Sequence, residues 1–284
     1  MEEKALRLSA VFLMILTAVS FVLLPKLPAL HTWEVEAREE RIAEEEFAQS
    51  QVTMQNLKIK EQNEAAGAKG ELSIRLPEGV TGDQIAVSND YVTQTIRVEI
   101  PQADRTYFDS YPVLGNSDYI DGLSYTRQGE MGVIEVTTNK VYELQTEYDA
   151  QNFYFNFLTP HEVYDKVVVI DAGHGGRAVG ANKQGINEKD IDLAIVLKLK
   201  EIFDNSDQNI GVYYTRTDDS NPTFDQRVQL ANKSDADLFI SIHNNSTRSG
   251  RMSGTSGTQV MYDETSEASR QFAQICLEEV TGRI

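Results

Sequence analysis

Cysteine is nearly absent from this sequence, which has one, Cys276, among its 284 residues. A single cysteine cannot form an internal disulfide, so a small fold stapled by disulfides is excluded. Cys276 falls in a segment with a helical pattern, where we interpret it as a small core residue. A composition of 40% hydrophobic and 25% charged residues is typical of a globular protein, and the length is sufficient for two domains.

Positive charge is also scarce, because 26 lysines and arginines face 44 aspartates and glutamates. The resulting net charge of −18 repels the phosphates of nucleic acids and the headgroups of anionic lipids. We therefore expect no nucleic-acid partner.

Several catalytic motifs are missing. No H-E-x-x-H sequence is present, which argues against the common helix-borne zinc peptidase site. No G-x-S-x-G elbow is present, which argues against a serine hydrolase. The glycines around His174 match neither G-x-G-x-x-G nor a P-loop, so phosphate binding is the weaker interpretation of that turn.

Only the first 30 residues contain a long apolar run. Lys4 and Arg7 precede the apolar stretch 10–24, which predicts a single-pass signal anchor over residues 1–30, with the N-terminus in the cytoplasm and the rest of the chain outside, at the cell membrane. The alternative is the apolar core of a cleaved signal peptide. The stretch 25–29 is a poor cleavage site, so we favour the uncleaved anchor.

The next two segments differ sharply in pattern. Residues 31–69 are rich in Glu, Ala, Arg and Gln, which indicates an acidic stalk or linker, either helical or disordered. Residues 70–160 alternate apolar and polar side chains between turn signals, which predicts a small antiparallel β domain with one face buried. The alternating apolar residues are Leu72, Ile74, Leu76, Ile96, Val98, Ile100, Ile134, Val136, Phe153, Phe155 and Phe157.

From residue 166 onward, strand and helix patterns alternate, which predicts an α/β domain with a mostly parallel sheet flanked by helices. The strands are expected to end near Ile170 and to cover 211–215, 238–242 and 258–262, with helices over 189–204, 224–233 and 266–280.

Two histidines follow predicted strands of this domain. His174 comes after the strand that ends at Ile170, and His243 comes directly after the strand 238–242. In open α/β sheets, ligands collect at the carboxyl ends of the strands, and Glu188 at a predicted helix start can join them there. Two imidazoles and one carboxylate are the protein ligands of a catalytic zinc, which leaves its fourth position open. The sequence therefore predicts a zinc metallohydrolase.

The successive motifs of this domain resemble those of zinc-dependent N-acetylmuramoyl-L-alanine amidases. The resemblance covers residues 166–284 and implies zinc held by His174, Glu188 and His243. It also implies hydrolysis of the amide between the lactyl group of N-acetylmuramic acid and L-alanine of the peptidoglycan stem. The β domain resembles, more loosely, the AMIN domains that bind cell wall. The matching blocks are 171–176 (DAGHGG), 188–190 (EKD), 215–218 (TRTD), Arg227 with 231–232 (AN), and 241–245 (SIHNN).

One part of the family pattern is not found. In the family the general-base glutamate lies on a late strand after the helix that here carries Ile275, so we expect it beyond Ile284. Glu278 and Glu279 are interpreted as exposed helix charges. We interpret the sequence as a fragment of a longer enzyme, with residues 1–284 alone inactive on peptidoglycan. The alternative is a non-catalytic, zinc-containing wall-binding or regulatory protein.

Further residues are candidates for supporting roles. Asp171 and Asn245 flank the histidines and could orient the ligands, although an aspartate that opens a turn is often a local backbone cap. The loop 246–257 is rich in Ser and Gly and is predicted to be a mobile wall of the substrate cleft. Its cations, Arg248 and Arg251, could bind carboxylates of the stem peptide, or the loop could be a solvated connector. A second alternative is a zinc hydrolase of a different bond, such as a peptide bond of the stem. The sequence does not identify an activator protein or the oligomeric state.

Overall fold

A computed structural model describes residues 27–51, 54–61, 69–244 and 257–282, with side chains from residue 35 onward. The chain forms two compact units, residues 1–244 and 245–284.

The acidic segment forms one long helix, α1 (Leu27–Ser50). Two short strands follow it, β1 (Gln55–Asn56) and β2 (Lys60–Glu61). Because β1 pairs with Tyr125 and Ser124, and β2 pairs with Leu114 and Gly115, the β region begins before residue 70. The predicted linker 31–69 therefore contains a helix and two edge strands.

The predicted β domain consists of two five-stranded sheets. One has the order β1-β7-β8-β5-β4 and the other β2-β6-β3-β10-β9, and all neighbours are antiparallel except β2 and β6. The remaining strands are β3 (Leu72–Arg75), β4 (Ala86–Asp90), β5 (Thr95–Pro101), β6 (Leu114–Gly115), β7 (Ile120–Gln128), β8 (Met131–Thr138), β9 (Glu143–Tyr148) and β10 (Asn152–Leu158), with a short helix α2 (Arg105–Ser110) between β5 and β6.

The apolar residues of the period-2 pattern form one core between these sheets. Every one of the eleven alternating residues named above is buried, and Phe155, Leu72 and Val98 are fully so. Burial of a large apolar side chain contributes about 1.5–3 kcal/mol. This shared core therefore stabilises the β sandwich that the two sheets form.

The next segment forms a three-stranded parallel sheet with the order β14-β11-β15. A short helix, α3 (Pro160–Val163), leads into β11 (Lys166–Ala172), and a small hairpin of β12 (Asn182–Lys183) and β13 (Ile186–Asn187) precedes α4 (Glu188–Asp204). Then come β14 (Ile210–Tyr214), α5 (Phe224–Lys233) and β15 (Leu238–Ile242). The register places Ala172 beside Ile242, so the carboxyl ends of β11 and β15 meet at one edge.

The predicted fold class holds in part. The sheet at 166–242 is parallel, but the sheets of the described residues taken together are mostly antiparallel. The expected strand 258–262 does not form, and Met261 is 92% exposed, so the pattern there has no buried face to drive pairing. The second unit contains α6 (Glu267–Thr281), where Cys276 is only partly buried.

No helix among the described residues is long and apolar enough to cross a membrane. The predicted anchor run 10–24 lies outside the described residues, and α1 begins at Leu27.

Candidate metal centre

The turn after β11 carries His174 in a left-handed conformation. Its φ is +57°, and Gly175 and Gly176 follow with φ of +138° and +51°. A non-glycine residue held in this region costs free energy, and such strain clusters at functional sites. A Cβ on Gly173 would lie 2.4 Å from the His243 ring. The missing side chain at Gly173 therefore lets the second imidazole approach the turn.

The structure brings the three predicted ligands together. His174 Nε2 is 3.1 Å from Glu188 Oε1 and 3.2 Å from His243 Nδ1, and His243 Nδ1 is 3.2 Å from the same Glu188 oxygen. Ligand atoms 2.0–2.1 Å from a tetrahedral zinc lie roughly 3.3–3.4 Å apart. The triangle of two nitrogens and one oxygen therefore fits a small tetrahedral cation.

Glu188 is the buried carboxylate of this triangle. It is the first residue of α4, and its oxygens accept hydrogen bonds from the backbone N–H groups of Ala181 and Asn244, each at 2.8 Å. Burial alone would raise the pKa of Glu188, but the hydrogen bonds from both histidines and from Ala181 outweigh it and hold this pKa far below its usual value. The carboxylate therefore stays ionised and available as an anionic ligand.

His174 is fixed from its other side. Its Nδ1 lies 3.1 Å from Glu39 Oε2 on α1. Burial lowers the pKa of His174, but its contacts with Glu188 and Glu39 prevail and raise it to about 9. Because a carboxylate only accepts hydrogen bonds, Nδ1 carries the proton when the ring is neutral, which leaves the Nε2 lone pair directed to the triangle.

Asp192 is a fourth residue of the cluster, and its second acidic one, that the sequence interpretation missed. Its ligand atom lies within 4.8 Å of those of His174, Glu188 and His243. Its Oδ1 accepts a hydrogen bond of 2.7 Å from the Asn244 side chain, whereas its buried Oδ2 has no partner. Burial raises the pKa of Asp192 to about 6. The spacing of four residues from Glu188, one helical turn, was the signal in the sequence.

Asp171 lies on β11, and its side chain contacts none of the three ligands. Its carboxylate accepts hydrogen bonds from Thr215 and Ser241 at 2.6 Å and pairs with Arg227 at 2.5 Å. Arg227 in turn donates to the carbonyl oxygens of Ala172 and His174. The role of Asp171 is thus to hold the arginine that holds the histidine turn.

Arg216 holds the same turn from another direction. Its guanidinium donates to the carbonyl oxygens of Ala172, Gly173 and Lys189, at 3.0, 2.7 and 2.9 Å. It therefore ties the turn to the first residues of α4, next to Glu188. This contact explains the arginine of the 215–218 block, to which the sequence interpretation gave no role.

Three other candidates, Asn245, Arg248 and Arg251, lie outside the described residues, as does the loop 246–256 to which the two arginines belong.

The fold and this cluster define a class of protein: an α/β protein with a candidate metal site of two imidazoles and a buried carboxylate at the carboxyl edge of a parallel sheet. Comparison with known proteins specifies the family. Residues 168–284 match the family described as N-acetylmuramoyl-L-alanine amidase.

Individual relatives agree. The chain is 45% identical over 86 residues to an endolysin of Bacillus phage SPP1, which covers 30% of this chain and 31% of the relative. It is 41% identical over 78 residues to the N-acetylmuramoyl-L-alanine amidase CwlM of Bacillus licheniformis, which covers 28% of this chain and 31% of the relative. The chain thus spans about a third of the length of these curated relatives.

Among solved structures, the catalytic domain of the amidase CwlV from Bacillus (Paenibacillus) polymyxa var. colistinus is 38% identical. It matches 39% of this chain and 59% of that domain, with a TM-score of 0.35. Residues 168–284 are therefore similar to the N-acetylmuramoyl-L-alanine amidase family.

Proposed function

We propose that the protein is a peptidoglycan hydrolase that cleaves the amide bond between N-acetylmuramic acid and L-alanine of the stem peptide, with zinc held by His174, Glu188 and His243. The observation that carries the proposal is the triangle of ligand atoms, 3.1–3.2 Å apart, within the segment that matches the amidase family.

The donor set suits this chemistry. When bound, zinc supplies a Lewis acid that polarises the amide carbonyl and makes water a better nucleophile at neutral pH. Two neutral imidazoles and one carboxylate leave a net positive charge at the centre, which favours an approaching carbonyl oxygen. Arg216 and Arg227 keep the histidine turn rigid through its backbone carbonyls. The remaining requirement is a base that takes the proton of the attacking water and returns it to the leaving amine, and the family resemblance implies a glutamate for this role.

The test is mass spectrometry of the fragments that the purified, complete gene product releases from peptidoglycan. We expect free stem peptides with an L-alanine N-terminus and glycan strands that lack peptide. The variants His174→Ala and His243→Ala should each lose zinc and this activity. His161→Ala is the matched control, because this exposed imidazole contacts the Asp235 carbonyl instead of the cluster, and it should keep both.

Other results would point elsewhere. Cleavage within the stem peptide would indicate a different bond specificity. Zinc bound without any released fragment would favour the non-catalytic wall-binding protein. Full zinc content in both histidine variants would contradict the ligand assignment.

We further propose that residues 1–30 anchor the chain in the cell membrane and that the rest lies outside the cytoplasm, where the β sandwich binds peptidoglycan. Lys4 and Arg7 before the apolar run 10–24 support this orientation, and the AMIN resemblance supports the wall contact. N-terminal sequencing of the protein isolated from membranes tests the anchor. A mature chain that begins near residue 30 would instead show a cleaved signal peptide.

A further inference from the structure

Helix α1 presents one face to the metal centre. Glu39, Ala43 and Glu46 recur at intervals of four and three residues, so they share a face of the helix. Ala43 is only 2% exposed, and the glutamates on either side of it contact residues of the 174–177 turn. The acidic segment, read from the sequence as a free stalk, is therefore packed against the site.

The second glutamate of this face fixes the helix to the glycine turn. Glu46 Oε1 accepts hydrogen bonds from the backbone N–H and the Nε of Arg177, at 2.9 and 3.1 Å, and its Oε2 accepts one from Asn221. A Cβ on Gly176 would lie 2.5 Å from Glu46 Oε2. A side chain at Gly176 would therefore meet this carboxylate unless Glu46 moved.

A third contact lies at the start of α5. Glu40 Oε2 accepts a hydrogen bond of 2.7 Å from the backbone N–H of Phe224, the first residue of that helix. Backbone N–H groups of the first helical turn lack partners within the helix, and the helix dipole favours an anion there. Three neighbouring carboxylates of α1 therefore each reach a separate donor around the site.

The first glutamate reaches the metal ligand itself. Glu39 Oε2 is 3.1 Å from His174 Nδ1, and the side chains are 19% and 11% exposed. In contrast, the pair of Arg177 and Glu45 is 53% and 63% exposed, where solvent screens an ion pair and leaves it little net effect. The pair of Glu39 and His174 is thus the sheltered contact of this helix, and it involves the ring nitrogen that faces away from the ligand triangle.

We propose that Glu39 is a positioning residue for the zinc ligand His174, and that the docking of α1 is what brings it there. The carboxylate accepts the Nδ1–H hydrogen bond, which fixes both the tautomer and the ring angle, so that Nε2 points at Glu188 and His243. A metal-ligating histidine generally needs such a partner, and loss of the partner weakens metal binding roughly 10–100-fold. This inference rests on the proposed metal site and adds a dependence of that site on the N-terminal helix.

The experiment measures zinc affinity of the full-length chain by competition with a chromophoric chelator, without reference to hydrolysis. Glu39→Ala should weaken zinc binding by roughly 10–100-fold. Glu39→Gln should recover most of the affinity, because its amide oxygen still accepts a hydrogen bond from Nδ1–H. Glu44→Ala is the matched control, since Glu44 is exposed on the same helix and has no hydrogen bond or ion pair among the described residues, and it should bind zinc as the unmodified chain does.

A spectroscopic signature separates positioning from a general loss of structure. In the zinc-loaded chain labelled with ¹⁵N-histidine, the Nδ1 proton of His174 should give a hydrogen-bonded imidazole signal, retained in Glu44→Ala and displaced in Glu39→Ala. Circular dichroism checks that each variant is folded. If Glu39→Ala is not, Glu39→Met replaces it, because it keeps the length of the side chain but offers no oxygen acceptor, and it should show the same loss of zinc affinity.

Two results would overturn the inference. Equal zinc affinities of the unmodified chain, Glu39→Ala and Glu44→Ala would overturn the role of Glu39 while leaving the metal site intact. Failure of the unmodified chain to bind zinc would overturn the metal site and the proposed function together with it.

Discussion

At the scale of single residues, the ion pair of Asp171 and Arg227 supports the turn that carries His174. Both side chains are buried, at 5% and 7% exposure, and the arginine holds the carbonyl of His174. Removal of one partner of a buried ion pair typically destabilises a protein by about 3–5 kcal/mol, because the other charge remains buried without compensation. We expect Arg227→Met to lose about this much in urea denaturation. Arg105→Met, which removes an exposed pair with Asp109 on α2, should lose less than about 0.5 kcal/mol.

The same pair predicts a pH dependence. Burial raises the pKa of Asp171, but the Arg227 guanidinium and the hydroxyls of Ser241 and Thr215 more than offset it and lower this pKa below its usual value. A lowered pKa in the folded state stabilises the protein above the unfolded pKa of about 3.9, and this contribution is lost as the pH falls through the folded value. In Arg227→Met the folded pKa should rise, so acid unfolding should occur at higher pH than in the unmodified chain. Unfolding followed by circular dichroism from pH 6 downward measures the shift, and coincident curves would contradict it.

A substitution at Gly180 tests how much space the imidazole of His174 needs. Its φ is +66°, and a Cβ there would lie 2.5 Å from the His174 ring and 2.8 Å from Glu188 Cβ. We expect Gly180→Ala to lower both stability and zinc affinity, because two ligands must shift. Gly79→Ala is the control: Gly79 also has a positive φ, +80°, but open space around it, so only backbone strain of about 1–2 kcal/mol should appear. Chelator competition and urea denaturation of both variants check this, and equal zinc affinities would show that the ring adapts.

At the scale of secondary-structure elements, the alternation of apolar and polar residues was sufficient to predict the strands of the β region. Side chains such as Ile96, Val98 and Ile100 point to one face of a strand, and that face is buried whatever the pairing partner. The pattern could not predict the pairing itself. The edge strands β1 and β2 have only two residues each, both of them exposed, so they leave no periodic signal.

Helix α1 and the segment 258–262 show two limits of prediction from the sequence. The position of α1 depends on hydrogen bonds that Glu39, Glu40 and Glu46 accept from residues more than 130 positions away, and composition alone cannot reveal such partners. The segment 258–262 has the apolar pattern of a strand, but no strand forms there among the described residues. Intrinsic β propensity is weak without a neighbour to pair with.

At the scale of the whole molecule, the proximity of the candidate ligands could be predicted, because the sheet topology brings them to one edge. Parallel strands end at the same edge, so histidines that follow two such strands must be close, even though 69 residues separate His174 from His243. The residues that position these ligands could not be predicted in the same way. Arg216 contacts backbone carbonyls, Glu39 contacts the His174 ring and Asp192 contacts Asn244. These contacts depend on packing that the sequence does not display.

The docking of α1 also imposes an order of events on synthesis. The helix leaves the ribosome first, yet its contacts span 131 residues to Arg177, 135 to His174 and 184 to Phe224. At about 5–20 residues per second, its partners emerge roughly 7 to 37 seconds later. Throughout that interval the sandwich can fold while the acidic helix stays without its donors. Docking of α1 thus has to wait until its partners up to Phe224 have been synthesised, and a high-affinity zinc site would exist only in molecules in which this docking has taken place.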